Sequence, residues 1–198
     1  MKVHQSETNG GNTLQKKALR EALLRARGAL TDQQRHAATV AIADGVLAWC
    51  ERWQPASLGV YWPIRGEPDL RTLYDILARR GIALALPVAD NDEQPLRFLK
   101  WTPGDITSLD RFGAATPLQR QVIAPAALLI PCVGFTLQRI RLGYGGGFYD
   151  RTLAQLPRPA TLGVAYDCGE TAFIGGEHDI ALDTILTESR RLGPPGPA

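Results

Sequence analysis

A chain of 198 residues, 44% hydrophobic and 21% charged, has the balance of a soluble globular protein and suffices for one substantial core, not for two large ones. Its net charge of +2 is too small to argue for nucleic acid, and no apolar run approaches a membrane span. Cys50, Cys132 and Cys168 are odd in number and far apart, which excludes a zinc knuckle and a disulfide framework.

The opening, MKVHQSETNGGN, is polar and lacks the apolar core of a signal peptide, so free thiols in a reducing cytoplasm are expected. Residues 1–13 are expected to be a flexible lead, 14–190 one folded domain, and 191–198, rich in proline and glycine, a disordered tail. Leu14 to about Arg27, rich in Leu, Ala, Lys and Arg, predicts a helix that Gly28 ends. Thr31 and Gln34 fit a capping box that opens a second helix, from Asp32 to about Arg52, closed by Pro55. Residues 57–63 (SLGVYWP) read as a buried strand. Pro68 and Asp69 suit a helix start; Leu70, Leu73, Tyr74 and Leu77 then recur at helical spacing, with Gly81 at the C-cap. Residues 82–88 and 96–101 read as strands and 102–125 as a long loop. Residues 127–135 (ALLIPCVGF) form the strongest buried strand, aimed at a glycine-rich stretch. Phe148 to Leu156 predicts a helix stopped by Pro157, and 162–166 and 184–187 are later short strands. Strands alternating with helices predict an α/β protein: a single three-layer domain with a mostly parallel central sheet and helices on both faces. Ligands in such folds gather at the carboxyl ends of strands.

The glycine-rich stretch, residues 141–151, reads RLGYGGGFYDR. Gly143, Gly145, Gly146 and Gly147 permit left-handed backbone angles and close approach to a ligand; Arg141 and Arg151 bracket them, and Asp150 follows. Backbone N–H groups in such a loop hold phosphate, and an adjacent aspartate suits magnesium. The loop is neither a Walker A motif nor a dinucleotide fingerprint. Lys16 and Arg20 share a helix face, on a helix that is basic elsewhere at Lys17, Arg25 and Arg27; the face reads either as a solvated basic face or as a second anion clamp. Glu67, after Tyr61-Trp62-Pro63, is an ordinary loop charge or a hydrogen-bond partner for a flat heterocycle. Glu177-His178-Asp179, with Asp183 further on, is a small acidic cluster; Asp150 and Asp179 together suit magnesium if the fold unites them. No G-x-S-x-G supports serine hydrolysis.

These segments, in this order, resemble the 5-formyltetrahydrofolate cyclo-ligase family, also called methenyltetrahydrofolate synthetases. The resemblance rests on K-x-x-x-R from Lys16 to Arg20, Glu67 after a strand, P-x-x-G-F from Pro131 to Phe135, RLGYGGGFYDR, and HD-x-x-LD-x-x-x-TE from His178 to Glu188. It implies an ATP- and Mg2+-dependent cyclisation of 5-formyltetrahydrofolate to 5,10-methenyltetrahydrofolate with release of ADP and phosphate. It further implies that Lys16, Arg20, Arg141, Leu142, Gly143, Tyr144, Gly145, Gly146, Gly147, Phe148 and Tyr149 bind ATP, with Arg141 and Tyr149 catalytic. Asp150 and Asp179 would hold magnesium. Glu67 would meet the pterin, and Tyr144 to Phe148 would face the folate. Trp62 and Trp101 are added as aromatic candidates around it. The partners implied are small molecules only, ATP and reduced folate, acting on a cytoplasmic monomer. The chain departs from the family pattern at Thr136, in place of an aspartate, at Arg139, where a glycine turn is common, and at Ile140. A diverged relative that binds nucleotide or folate with altered or no turnover is the alternative.

Overall fold

The computed structural model describes residues 5–176 and 178–194, with side chains from Thr13 onward. In chain order the elements are α1 (Gln5–Gly28), α2 (Asp32–Trp53), β1 (Ser57–Gly59), α3 (Arg71–Arg79), β2 (Ala83–Val88), β3 (Arg97–Lys100), β4 (Thr107–Leu109), β5 (Ala115–Pro117), β6 (Val122–Ile123), β7 (Ala127–Pro131), β8 (Gly134–Phe135), β9 (Arg141–Leu142), α4 (Phe148–Leu153), β10 (Ala160–Val164), β11 (Thr184–Leu186) and β12 (Arg191–Leu192). One eight-stranded sheet runs β12-β11-β10-β7-β1-β2-β3-β6. The strands from β11 to β2 in that order are parallel, and β12, β3 and β6 join antiparallel at the flanks.

Strand β7 lies at the centre, pairing β1 on one side and β10 on the other. Its alternate side chains divide the core. Ala127 and Leu129 pack with Ile42, Val46 and Trp49 of α2 and Leu73 and Leu77 of α3. Leu128 and Ile130 pack on the opposite face with Leu153 of α4. A strand covered on both faces reads as continuous apolar sequence, which is why this segment stood out. The three-layer, mostly parallel α/β architecture is therefore the one expected. The capping box is formed: Gln34 N–H donates to Thr31 Oγ1 at 3.2 Å, and Thr31 N–H donates to Gln34 Oε1 at 2.9 Å.

Four expectations need correction. Helix α1 starts at Gln5, well before Leu14, so much of the expected lead is helical; residues 1–4 lie outside the described residues. Residues 191–192, assigned to a disordered tail, form β12, whose pairing with β11 holds them; 195–198 lie outside the described residues. The long loop at 102–125 contains the β4–β5 hairpin and the edge strand β6. The expected strand at 127–135 is two strands: after Pro131 the chain leaves the sheet, and Gly134 and Phe135 pair with Leu142 and Arg141 as a β8–β9 hairpin.

That hairpin carries the glycine loop away from the carboxyl end of β7. Leu23 of α1 packs on it with Val133 and Leu142, a small third cluster that docks α1 on the same end of the sheet. No helix among the described residues is long and apolar enough to cross a membrane.

Candidate functional site

Docking through Leu23 turns the polar residues of one α1 face onto the glycine loop. Arg20 Nε donates to the Gly143 carbonyl at 2.8 Å. Arg27 Nη1 donates to the Tyr144 hydroxyl at 3.1 Å and Nη2 to the Cys132 carbonyl at 2.6 Å. Lys16 pairs with Asp179, whose carboxylate also accepts the Gly176 N–H at 2.8 Å. The reading of this face as simply solvated does not hold: Arg27 is only 2% exposed.

The loop is fixed from the other side as well. Arg151 Nη2 donates to the Gly146 carbonyl at 2.7 Å and to the Asp92 carbonyl at 2.8 Å. Gly145 and Gly147 have φ of +102° and +67°, the region where other residues are strained. The C=O and N–H of one trans peptide point in opposite directions. Anchoring the Gly143 and Gly146 carbonyls on arginines therefore turns the N–H groups of Tyr144 and Gly147 the other way. A side chain at Gly143 would collide with the Arg141 guanidinium, so that glycine makes room for a cation beside the loop.

Arg141, its side chain 8% exposed, lies over the Tyr149 ring at 5.1 Å and meets Asp150 at 3.5 Å; its buried Nε has no partner among the described residues. Burial pushes the Tyr149 phenol above its usual pKa, so it stays a hydroxyl donor. Burial also draws the Arg20 guanidinium down; Asp179 pulls it up, Arg141 pushes it down and Asp150 pulls it up. These four groups thus form one electrostatic cluster, joined by Lys16. Three cations against two carboxylates favour an anion.

Glu67 is 4% exposed. Its Oε2 accepts the Ile64 N–H at 3.0 Å, and its Oε1 accepts the Tyr144 hydroxyl at 2.8 Å. Burial raises its pKa, while those two bonds and the charges of Arg27 and Arg141 lower it. The structure thus joins Glu67 to the glycine loop through Tyr144. Arg65 caps the Tyr144 ring at 5.1 Å.

Trp62 and Trp101 meet edge to face, with ring centroids 6.1 Å apart. Together with Asp69, Arg71, Thr72 and Asp75 they line a cleft of about 330 Å3 that neither Glu67 nor the glycine loop lines. They come together, but beside the cluster. His178 is exposed, and Glu177 lies outside the described residues. Asp183 accepts the Thr161 N–H and hydroxyl at 2.8 Å each, a clasp between β10 and the approach to β11.

Arg27 and Arg65 are the site residues that sequence reasoning did not single out. For Arg27 the signal was present: it follows Arg20 by seven positions, two helical turns, on the face of Lys16, Arg20 and Leu23. No periodicity marks Arg65, which lies in a loop.

Residues 12–188 match the model of the 5-formyltetrahydrofolate cyclo-ligase family. The chain is 30% identical over 184 residues to a 5-formyltetrahydrofolate cyclo-ligase of Haemophilus influenzae, covering 88% of this chain and 98% of that one. It is 32% identical over 190 residues to the enzyme of that name from Mycolicibacterium smegmatis, covering 89% and 95%. Its fold superposes on a 5,10-methenyltetrahydrofolate synthetase of Mycoplasma pneumoniae with a TM-score of 0.75, at 25% identity over 88% of this chain and 99% of that one. The synthetase of that name from Aquifex aeolicus gives 0.77, at 25% identity over 89% and 91%.

Proposed function

The chain belongs to the 5-formyltetrahydrofolate cyclo-ligase family, and from that premise we propose that it closes 5-formyltetrahydrofolate to 5,10-methenyltetrahydrofolate at the expense of ATP, releasing ADP and phosphate. The observation that carries the reading is the convergence of Arg20 and Arg141 on a glycine loop tied to buried Glu67, with Lys16 paired to Asp179, whose charge acts on Arg20.

A formyl oxygen is a poor leaving group. Transfer of the γ-phosphoryl group to that oxygen gives an imino-phosphate; N10 then attacks the activated carbon and gives up its proton to solvent, the C–O bond breaks, and phosphate departs with the electron pair. Little covalent work falls to the protein, so positioning and charge screening supply the catalysis. Arg20 and Arg141 neutralise phosphate charge, and the outward N–H groups of Tyr144 and Gly147 donate to its oxygens. Tyr149, kept protonated, holds Arg141 against the loop. Glu67 accepts hydrogen bonds from the pterin edge.

Asp150 and Asp179 fit a magnesium ion that arrives with the nucleotide. Each is paired to a cation, Arg141 and Lys16 respectively, whose place a metal ion can take. Among the described residues no group of three acidic, histidine or cysteine side chains forms a metal cage, which suits an ion held by one or two carboxylates and phosphate oxygens. Such an ion, when bound, shields the charge developing on the transferred phosphoryl group.

The decisive experiment mixes the purified protein with 5-formyltetrahydrofolate, magnesium and ATP and follows absorbance of the methenyl chromophore. A rise that requires all four components is expected. A flat trace with ATP binding intact would favour a binding protein without turnover. Arg141→Ala and Asp150→Ala are each expected to abolish the rise, and near-normal turnover in a folded variant removes that residue from the site.

A further inference from the structure

We propose that Arg27 is a positioning residue for this reaction, acting through Tyr144 to hold the glycine loop over Glu67. The inference rests on the reading of Glu67 and the loop given above. Arg27 has only donors, so the Tyr144 oxygen must accept from it, at 3.1 Å. The single Tyr144 hydrogen is then committed to Glu67 Oε1, at 2.8 Å. The polarity of the chain is fixed in one order: guanidinium to phenol to carboxylate. A second arginine secures both ends of it. Arg35 of α2 donates to the Gly66 carbonyl at 3.2 Å, and to the carbonyls of Arg27 at 3.3 Å and Leu30 at 3.2 Å, which clasps the Glu67 loop to the end of α1.

Tyr144 belongs to the loop that is read as the phosphate cradle, and it covers one oxygen of the carboxylate that is read as the pterin contact. A ligand that donates to Glu67 Oε1 shares that oxygen with Tyr144 or displaces it, and so it reaches the loop. Arg27 sets the resting place of that phenol. The groups facing Glu67 are Tyr144, Arg27 and Arg141, with the buried phenols of Tyr61, Tyr74 and Tyr149 and the buried Cys132 thiol in its field. Among these, the Tyr144 bond holds Glu67 towards its ionised form, so its loss makes Glu67 easier to protonate.

The test measures 5-formyltetrahydrofolate affinity by calorimetry over a pH series for the wild type, Arg27→Met, Tyr144→Phe and the double variant. Each single change is expected to weaken binding roughly tenfold, as loss of a bond to a charged group does. The double variant is expected to be no worse than the worse single one, because both changes cut one chain. The acid limb of the affinity profile is expected to move to higher pH in all three. Additive losses, or an unmoved acid limb in Tyr144→Phe, overturn the proposal. Arg27→Met also strips the Cys132 carbonyl of its donor; if it does not fold, Tyr144→Phe decides alone, since that variant leaves the bond to Cys132 in place. A wild type that binds no reduced folate sinks the functional reading instead. Amide hydrogen exchange of residues 143–147 in the free protein then decides: faster exchange in Tyr144→Phe supports the positioning role, and unchanged exchange removes it.

Discussion

At Arg139 the backbone has φ of +65°, where a side chain is strained and glycine is not. The family's common glycine therefore had a physical reason, and this chain keeps the turn without it. Arg139 gains in exchange a bond from its Nε to the Leu182 carbonyl at 2.9 Å. Comparing two variants that both lose this bond isolates the strain: Arg139→Gly should be more stable than Arg139→Ala by about 1 kcal/mol in chemical denaturation. Equal stabilities would show that the turn is unstrained. At Thr136, buried at 3%, the hydroxyl accepts the Ile140 N–H at 3.2 Å, the bond an aspartate would take. Thr136→Asp is therefore expected to bring no gain in turnover, and a magnesium titration that shows one would refute this account. Glu67→Gln is expected to weaken folate binding by about 1.5–3 kcal/mol while ATP binding holds. Its effect on stability depends on pH. Burial raises the Glu67 pKa in the folded chain above the ordinary 4.5, so between those values the folded state holds more proton than the unfolded one. Stability contributed by Glu67 is complete below 4.5 and falls as pH rises through the raised value. Glutamine has no such fall, so melting curves should shift in favour of the variant with rising pH. A constant difference across pH would contradict the raised pKa.

Helix α1 shows how an element far from the substrate in sequence becomes part of the site. Its Lys16–Arg20 spacing was legible, and so was its basic character, but not that it docks rather than faces water. That outcome was decided by Leu23, Val133 and Leu142, a contact between segments more than a hundred residues apart that no local pattern encodes. Leu23→Ala should cost about 2–5 kcal/mol if the cavity does not collapse, and should weaken ATP binding although Leu23 is not expected to touch the nucleotide. Calorimetry showing unchanged ATP affinity would mean that α1 holds its cations in place without this anchor. Elsewhere, the 127–135 run was read as one strand because a doubly buried strand has no periodicity to mark where it leaves the sheet. The three-residue strands β4 and β5 were hidden by the proline and glycine around them, which punctuate a hairpin and a loop alike. That Trp62 and Trp101 meet was not legible in the sequence, since α3 packing fixes Trp101 through its edge contact with Tyr74.

For the molecule as a whole, the α/β class and the sheet direction followed from the order of the elements, while the sheet order and the meeting of Glu67 with Tyr144 required the fold. The three thiols report on its integrity. Cys50 and Cys132 are buried, and burial pushes each up to about 12, so neither offers thiolate in the native state. Cys168 is half-buried. A thiol reagent at neutral pH should therefore label Cys168 first and the other two only as the chain unfolds globally. Mass spectrometry finding Cys132 labelled as fast as Cys168 would indicate local opening beneath the β8–β9 hairpin.

The two outermost strands of the sheet, β12 and β6, are each two residues long. An open sheet edge invites a foreign strand, and the invitation grows with the length of unpaired backbone it presents. Both edges here end almost as soon as they begin, and the exposed Arg191 sits in one of them. The parallel core, the part of the chain most prone to pair with copies of itself while folding, is thus sealed before it meets solvent. Among the described residues, the edges of this sheet leave self-association through strand addition little backbone on which to start.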